Sequence, residues 1–330
     1  MNAPDAEARD VKVSVAMVTY NHEPFIAQAI ESVLMQQTEF GVDLIIGEDC
    51  STDGTREIVT EYARRHPERI RPLWHEHNVG AQANFVAVLN ACRGQYIAAL
   101  EGDDYWTDPR KLQRQVDFLE AHPECALCFH KAVVVAQDDI HLPRFKPQNS
   151  MKTIIDLDYL LGEANFAPTC SVMLRNGLVT RYPEWFYTLP VGDWALLVLN
   201  AQFGKIGYLD EVMSVYRSHS EGVFSRQTPI QKHLSLLTAR EIVGSHVSPQ
   251  HQRRIAVGIS RIYLGLSAAY ADEGEIPTAR KYLVKSIRMN PLSFLDRTLV
   301  IFVMIGRLYV PRVYMLLRSI QAYRSEREND

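Results

Sequence analysis

The segment Tyr96-Ile97-Ala98-Ala99-Leu100-Glu101-Gly102-Asp103-Asp104-Tyr105-Trp106 decides how the rest of the chain is read. Its first five residues form an apolar run of strand length, with one β-branched and one aromatic member. Three carboxylates then fall within four residues, at the carboxyl end of a strand expected to be buried. In open α/β sheets ligands bind at that end. Carboxylates packed so closely repel one another and are costly to bury without a cation. Mg2+ is commonly held by one or two carboxylates plus substrate phosphates, so a metal–phosphate ligand suits the cluster. Taken alone, the segment also reads as an acidic turn capping the next helix, expected from about Arg110 to Ala121.

Upstream, Val11 to Val18 is an apolar, β-branched run of the kind found in buried parallel strands. After the polar turn Thr19-Tyr20-Asn21-His22, a helix is predicted, with Pro24 near its first turn and Phe25, Ile26, Ile30, Val33 and Leu34 on its apolar face. A second strand, Asp43 to Gly47, leads into Glu48-Asp49-Cys50-Ser51-Thr52-Asp53-Gly54-Thr55. There Ser51 or Asp53 is placed to cap a helix through Ile58, Val59 and Tyr62. Ile70 to Trp74 reads as a third strand, and Ala83 to Cys92 as a helix closed by Gly94. Such alternation with short polar connections implies parallel strands joined by right-handed crossovers. The clusters at Glu48–Asp53 and Glu101–Asp104 then face one crevice. Neither G-x-G-x-x-G nor G-x-x-x-x-G-K-[S/T] occurs, which removes the main support for dinucleotide and P-loop readings.

Downstream, residues 125–135 read as a strand and residues 137–155 as a polar, proline-interrupted loop of the kind that carries acceptor contacts. A turn and strand follow at Ala167 to Leu174. Gly192-Asp193-Trp194 precedes a helix from Ala195 to Gln202, and short strands are expected at Ile206–Leu209 and Met213–Tyr216, followed by Arg217-Ser218-His219.

The apolar fraction of 47% and charged fraction of 22% are those of a globular protein, and a formal charge of −4 gives no basic field for nucleic acid. Five scattered cysteines fit a reducing compartment. The lone Cys125-x-x-Cys128 pair lies in an apolar run and reads as buried thiols rather than a zinc site. Residues 1–10 read as a disordered lead without a signal-peptide pattern. The longest uncharged apolar run, Leu299 to Gly306, is too short to span a bilayer.

From about Pro229 the chain reads as helical. Tyr263, Leu266, Tyr270, Gly274, Ala279, Leu283 and Pro291 fall at tetratricopeptide-like spacing, with a single unit visible. Residues 280–324 hold nine Lys or Arg against one acid, Asp296, interleaved with large apolar residues. Two readings stand side by side. In one the tail docks on an anionic membrane surface, with Pro311 breaking it into two helices. In the other its apolar residues pack on the repeat-like unit.

Four motifs in order, Thr19-Tyr20-Asn21, Glu48 to Thr55, Glu101-Gly102-Asp103-Asp104, and Gly192-Asp193-Trp194 with Tyr216-Arg217-Ser218-His219, resemble the inverting glycosyltransferases of family 2, of the type that builds bacterial surface polysaccharide. The resemblance runs from Val13 to about Ser225. It implies a GT-A fold: an α/β, Rossmann-like, mainly parallel central sheet flanked by helices, here over residues 11–228. An all-helical C-terminal subdomain, residues 229–330, lies outside it. The resemblance further implies a nucleotide-sugar donor, most simply a UDP-sugar, and a divalent metal, Mn2+ or Mg2+. Asp49 matches the acid that reads the base, with Thr19, Tyr20 and Asn21 near base and ribose and Asp53 in the same loop. Glu101, where the family often has Asp, and Asp103 match residues at the ribose. Asp103, Asp104 and His219 match those at the metal and diphosphate. Which aspartate is the principal ligand stays open. Asp193 matches the catalytic base. Each has a plainer role available, with Asp49 and Asp193 as helix caps and His219 as a structural histidine. Arg217 either meets phosphate or pairs with an acid, and Trp106 and Trp194 either stack on sugars or fill the core.

The implied reaction is direct displacement at the anomeric carbon, with a carboxylate as general base and no enzymic nucleophile. The acceptor implied is a glycan or lipid-linked hydroxyl, and the location cytoplasmic, peripheral on the inner face of the plasma membrane. Two other classes fit the sequence less well. A nucleotidylyltransferase needs a glycine-rich, basic loop after the first strand, where Thr19-Tyr20-Asn21-His22-Glu23 stands. An inert scaffold binding a partner through the tail is at odds with intact Asp103, Asp104 and Asp193.

Overall fold

The computed structural model describes residues 11–136, 139–147, 151–163, 166–219, 222, 226–291 and 298–310. The disordered lead expected at residues 1–10, the break at Pro311 and the tail beyond it lie outside these. The chain divides into two compact units, residues 1–160 with 165–225, and residues 161–164 with 226–330.

The first unit opens with β1 (Val11–Thr19), α1 (Ile26–Leu34), β2 (Gly41–Glu48), α2 (Thr55–Arg65), β3 (Ile70–Trp74), α3 (Ala81–Ala91) and β4 (Tyr96–Glu101). These strands pair in parallel, in the order β3-β2-β1-β4. Val13, Val15, Ala16 and Met17 on β1 and Tyr96, Ala98, Ala99 and Leu100 on β4 have no exposed surface, as expected where helices cover both faces. The α1 residues Ile26, Ala29, Ile30 and Val33 recur at helical spacing and are buried.

The chain continues through β5 (Tyr105–Trp106), α4 (Lys111–Ala121), β6 (Cys125–Ala136), β7 (Asp139–Lys146), β8 (Ile154–Ile155), α5 (Leu157–Gly162), β9 (Met173–Arg175), α6 (Glu184–Tyr187), α7 (Asp193–Ala201) and β10 (Lys205–Ser218). Beyond β4 the sheet runs β9-β6-β10-β5. Short β9 is antiparallel to β4 and β6, while β10 is parallel to β6. The result is the mainly parallel, helix-flanked α/β sheet expected. Cys125 and Cys128 are buried free thiols.

Several expectations are corrected. The span 137–155 is not simply a loop: β7 forms an antiparallel hairpin arm on β6, and β8 pairs with β10. Pro143 obscured β7, but among the described residues β7 pairs with β6 alone, and proline is tolerated on such an edge. The two strands expected at 206–216 are one, β10, with register shifts between Leu209 and Ser214 where Asp210 and Glu211 interrupt the apolar pattern. Neither Ser51 nor Asp53 occupies the N-cap of α2. Gly54 does, and Asp53 Oδ1 accepts from the Thr55 N–H at 3.0 Å. Helix α7 begins at Asp193 itself.

The second unit contains α8 (Pro229–Gly244), α9 (Gln252–Asp272), α10 (Ile276–Met289) and α11 (Thr298–Tyr309). A capping box between Thr228 and Gln231 starts α8. Ser267 Oγ donates to Ala279 O at 2.8 Å and Ser286 Oγ to Ser260 O at 2.7 Å, so α9 and α10 pack antiparallel. Gly274, at φ 80°, makes the turn between them. Ile301, Met304 and Leu308 of α11 pack with Leu264, Ala271, Ala279 and Leu283. Its Val300, Phe302 and Val303 face outward, Phe302 58% exposed. Buried Arg240 donates to Leu161 O at 2.7 Å and to Glu163 O. No helix among the described residues is long and apolar enough to cross a membrane.

Candidate functional site

The acidic turn is tied to β1. The Gly102 N–H donates to Val18 O at 2.9 Å, and Asp104 N–H to Glu101 O at 3.0 Å. A Cβ on Gly102 would lie 2.7 Å from Thr19 Oγ1 and 2.9 Å from His22 Nδ1, so only glycine lets the turns after β1 and β4 approach this closely. The chain then enters β5, which pairs antiparallel with β10 and brings Arg217 and His219 to the same place.

Each aspartate has one oxygen held and one left over. Asp103 Oδ2 pairs with His219 Nε2 at 2.9 Å, with His22 Nε2 at 3.8 Å. Asp104 Oδ1 accepts from the Arg217 N–H at 2.8 Å. Asp103 Oδ1, Asp104 Oδ2 and Thr19 Oγ1 are buried without a conventional hydrogen-bond partner. The Cys170 thiol, a weak donor, helps stabilise the Asp104 carboxylate. Burial, followed by the charges of Asp103 and Glu101, holds Asp104 well above the usual carboxylate range. Burial together with Asp103 and Asp193 pushes Glu101 up to about 8. Asp103 goes the other way: burial raises it, but the His219 hydrogen bond and the charges of His22 and His219 bring it below the ordinary value.

Two buried carboxylate oxygens without a conventional hydrogen-bond partner, beside an imidazole, suit a hard divalent cation such as Mg2+ or Mn2+. Among the described residues, no three His, Cys, Asp or Glu side chains converge to enclose one. The residues therefore fit a metal that takes its remaining ligands from phosphate and water, the usual manner for Mg2+.

The turns after β1 and β2 interlock. Asn21, at φ 54°, donates its N–H to Ser51 Oγ at 3.0 Å and accepts from the Thr52 N–H at 2.8 Å. The His22 N–H donates to Thr55 Oγ1 at 2.8 Å, Glu23 N–H to Asp53 Oδ2 at 3.1 Å, and Gly54 N–H to Glu23 Oε2 at 2.8 Å. Burial raises Asp53, but the Thr55 and Glu23 hydrogen bonds bring its carboxyl below the ordinary value. Asp49 is buried, its oxygens accepting from the Val79 N–H at 2.7 Å and the Gly80 N–H at 3.0 Å. Each oxygen keeps a second lone pair. Tyr20 stands exposed beside them.

Asp193 is exposed at the first turn of α7, where the helix N-terminus favours an anion. Its charge acts on Glu101 and Tyr216, which sets it beside the acidic turn. Thr19, Tyr20, Asn21, Asp49, Asp53, Glu101, Asp103, Asp104, Asp193 and His219 thus come from five segments to the carboxyl end of the parallel strands.

The model of the family described as glycosyl transferase family 2 matches residues 14–181. The chain belongs to glycosyl transferase family 2. Mycobacterium bovis uncharacterized protein Mb1547 is 42% identical over 216 residues, 64% of this chain and 60% of that protein. The chain thus spans less than two thirds of that protein's length. The putative teichuronic acid biosynthesis glycosyltransferase TuaG of Bacillus subtilis is 37% identical over 133 residues, 40% of this chain and 51% of TuaG. Among solved structures, S. aureus TarS 1–349 has a TM-score of 0.60 at 18% identity, covering 97% of this chain and 92% of that one. The Pyrobaculum calidifontis mannosyltransferase PcManGT, in complex with GDP-Man and Mn2+, has a TM-score of 0.58 at 17% identity, covering 96% and 87%. These two likenesses support the fold. Membership of the glycosyl transferase family rests on the family match.

In this family 2 glycosyltransferase, three side chains whose roles the sequence left open find their partners. Trp106 is buried, donating Nε1–H to Cys170 O at 2.8 Å with Lys111 Nζ 3.9 Å above its ring. Trp194 is also buried and donates to Leu160 O at 3.3 Å. Both are core residues, not sugar platforms. The Arg217 guanidinium donates to the Asp103 peptide oxygen and to Gln28 Oε1. Sequence reasoning assigned no role to His22, although it stands next to Tyr20-Asn21; its place beside Asp103 depends on the fold of the turn.

Proposed function

We propose that this protein is a metal-dependent, inverting glycosyltransferase that moves a sugar from a nucleoside-diphosphate donor, a UDP-sugar in the simplest case, to a hydroxyl of a glycan or lipid-linked acceptor. The reading is supported above all by the convergence of the half-satisfied Asp103–Asp104 pair with exposed Asp193. Thr19, Tyr20, Asn21 and Asp49 would line the nucleoside, with Asp53 bracing their turns. Glu101 and Asp103 would face the ribose. Asp103 and Asp104 would each offer one oxygen to Mn2+ or Mg2+, with His219 holding Asp103 in place, and the metal when bound neutralises charge developing on the diphosphate. Asp193 would accept the proton of the acceptor hydroxyl as its oxygen bonds to the anomeric carbon and the carbon–diphosphate bond breaks on the opposite face. TarS, crystallised with UDP-GlcNAc, and PcManGT, crystallised with GDP-Man and Mn2+, lend the donor and metal classes support by analogy. In this reading residues 11–228 form the catalytic domain and residues 229–330 a helical region with one tetratricopeptide-like unit.

We further propose a cytoplasmic location, peripheral on the plasma membrane. The exposed apolar residues of α11 and the exposed Arg280, Lys281, Lys285 and Arg288 of α10 favour a docking role for the second unit. The test of the catalytic reading is donor hydrolysis across a panel of UDP- and GDP-sugars with Mn2+ or Mg2+. Turnover should vanish in EDTA and in Asp104→Asn. Full turnover in EDTA would refute the metal.

A further inference from the structure

Strand β10 and the residue that follows it reach the acidic turn from the far side of the sheet and touch both aspartates there. The Arg217 N–H holds Asp104 Oδ1 at 2.8 Å, and His219 Nε2 holds Asp103 Oδ2 at 2.9 Å. The oxygens left over, Asp103 Oδ1 and Asp104 Oδ2, are the buried ones without a conventional partner. The end of β10, from Arg217 to His219, therefore decides which oxygen each carboxylate presents.

The Arg217 side chain adds a second set of ties. One arm of its guanidinium donates to the peptide oxygen of Asp103 and the other to Gln28 Oε1 on α1. Its plane lies 4.3 Å from the ring centre of Tyr105, which follows Asp104, and 5.2 Å from that of Phe25. Phe25 in turn packs 4.8 Å from the His219 ring. Arg217 thus touches the turn at Asp103, Asp104 and Tyr105, and clamps it to α1. It does not form an ion pair with either carboxylate through its side chain, and its two arms are already engaged.

We infer that Arg217 is the positioning residue of the metal site: it fixes the Asp103–Asp104 turn so that one oxygen of each carboxylate is offered to the same cation. This rests on the metal-dependent reading above. The fork geometry is essential to it. A lysine keeps the charge but supplies neither two separately directed arms nor a plane to stack on Tyr105.

The test is Mn2+ binding to the full-length protein without donor, followed by water-proton relaxation, in wild type, Arg217→Lys, Arg217→Ala and Gln28→Ala. Residues that orient metal ligands typically change metal affinity by about 10–100-fold, and that weakening is expected for Arg217→Lys and Arg217→Ala alike. Gln28→Ala, which loses one anchor, should fall between them and wild type. Cooperative unfolding of Arg217→Lys guards against a folding failure. The inference is overturned if Arg217→Lys binds Mn2+ like wild type, and doubly so if its UDP affinity falls, because the side chain then serves the diphosphate directly. Wild type that binds no Mn2+ would overturn the metal reading itself, a different result from wild-type-like binding in the variant.

Discussion

Gly102→Ala isolates the approach of two turns without removing a charged group. The added methyl would sit 2.7 Å from Thr19 Oγ1 and 2.9 Å from both Thr19 Cβ and His22 Nδ1. Ordinary contact needs 3.4–4 Å, so the turns after β1 and β4 must separate by roughly 0.5–1 Å. Thr19 is almost wholly buried and has nowhere to retreat, and the His22 peptide is held by Thr55. Overpacking of this kind costs about 1–3 kcal/mol. For a unit of this size that corresponds to a fall in Tm of about 2–12 °C. The larger effect is on rate, because a shift of about 1 Å in a catalytic constellation can cost roughly 100-fold. Thermal unfolding and donor turnover, measured on the same preparation, should therefore show a modest loss of stability and a disproportionate loss of rate. Turnover close to wild type would mean that the apposition of Thr19, His22 and the acidic turn is incidental to catalysis.

Three more outcomes follow from other parts of the structure. Asp193→Asn should lower turnover by about 10²–10⁴-fold, as expected for a lost general base, while nucleotide-sugar affinity measured by calorimetry stays near wild type; joint loss of both would make Asp193 a structural residue. Lys111 is fully buried against Trp106 and Gln115, and burial pushes its ammonium down to about 7. Between about 7 and the unfolded value near 10.4, the unfolded chain binds a proton that the native state does not, so wild-type stability gains with rising pH in that window. Lys111→Met removes this dependence. Its stability relative to wild type, from urea midpoints, should be most favourable below about pH 7 and should decline towards about pH 10; a flat difference would show that Lys111 stays charged in the fold. Full-length protein should sediment with anionic liposomes at low salt and a chain ending at Asn290 should not; equal behaviour of the two would leave the exposed face of α11 without a membrane role.

Much of the site was legible because it lies on local patterns. Apolar strands ending in Glu48-Asp49 and Glu101-Gly102-Asp103-Asp104 announce both the sheet and the end at which ligands bind. The parts that were not legible depend on distant residues meeting. Nothing local in Tyr216-Arg217-Ser218-His219 says that the arginine spends its side chain on the Asp103 peptide oxygen and Gln28. His22 gains its place only because Gly102 lets two turns close on each other. The position of Trp106 and Trp194 beside acidic motifs leaves sugar stacking and core packing both open; in the fold both side chains turn into the core and find backbone acceptors there. Strand β7 was hidden by Pro143, which is harmful in a central strand and harmless on an edge.

The account stands most directly on the stereochemistry of the reaction. Donor hydrolysis can be followed by proton NMR from the first minutes, before the released sugar equilibrates between its anomers, and it requires no knowledge of the natural acceptor. A single displacement assisted by Asp193 predicts that the first-formed sugar has the anomeric configuration opposite to that of the donor. First-formed sugar that keeps the donor's configuration would contradict the account.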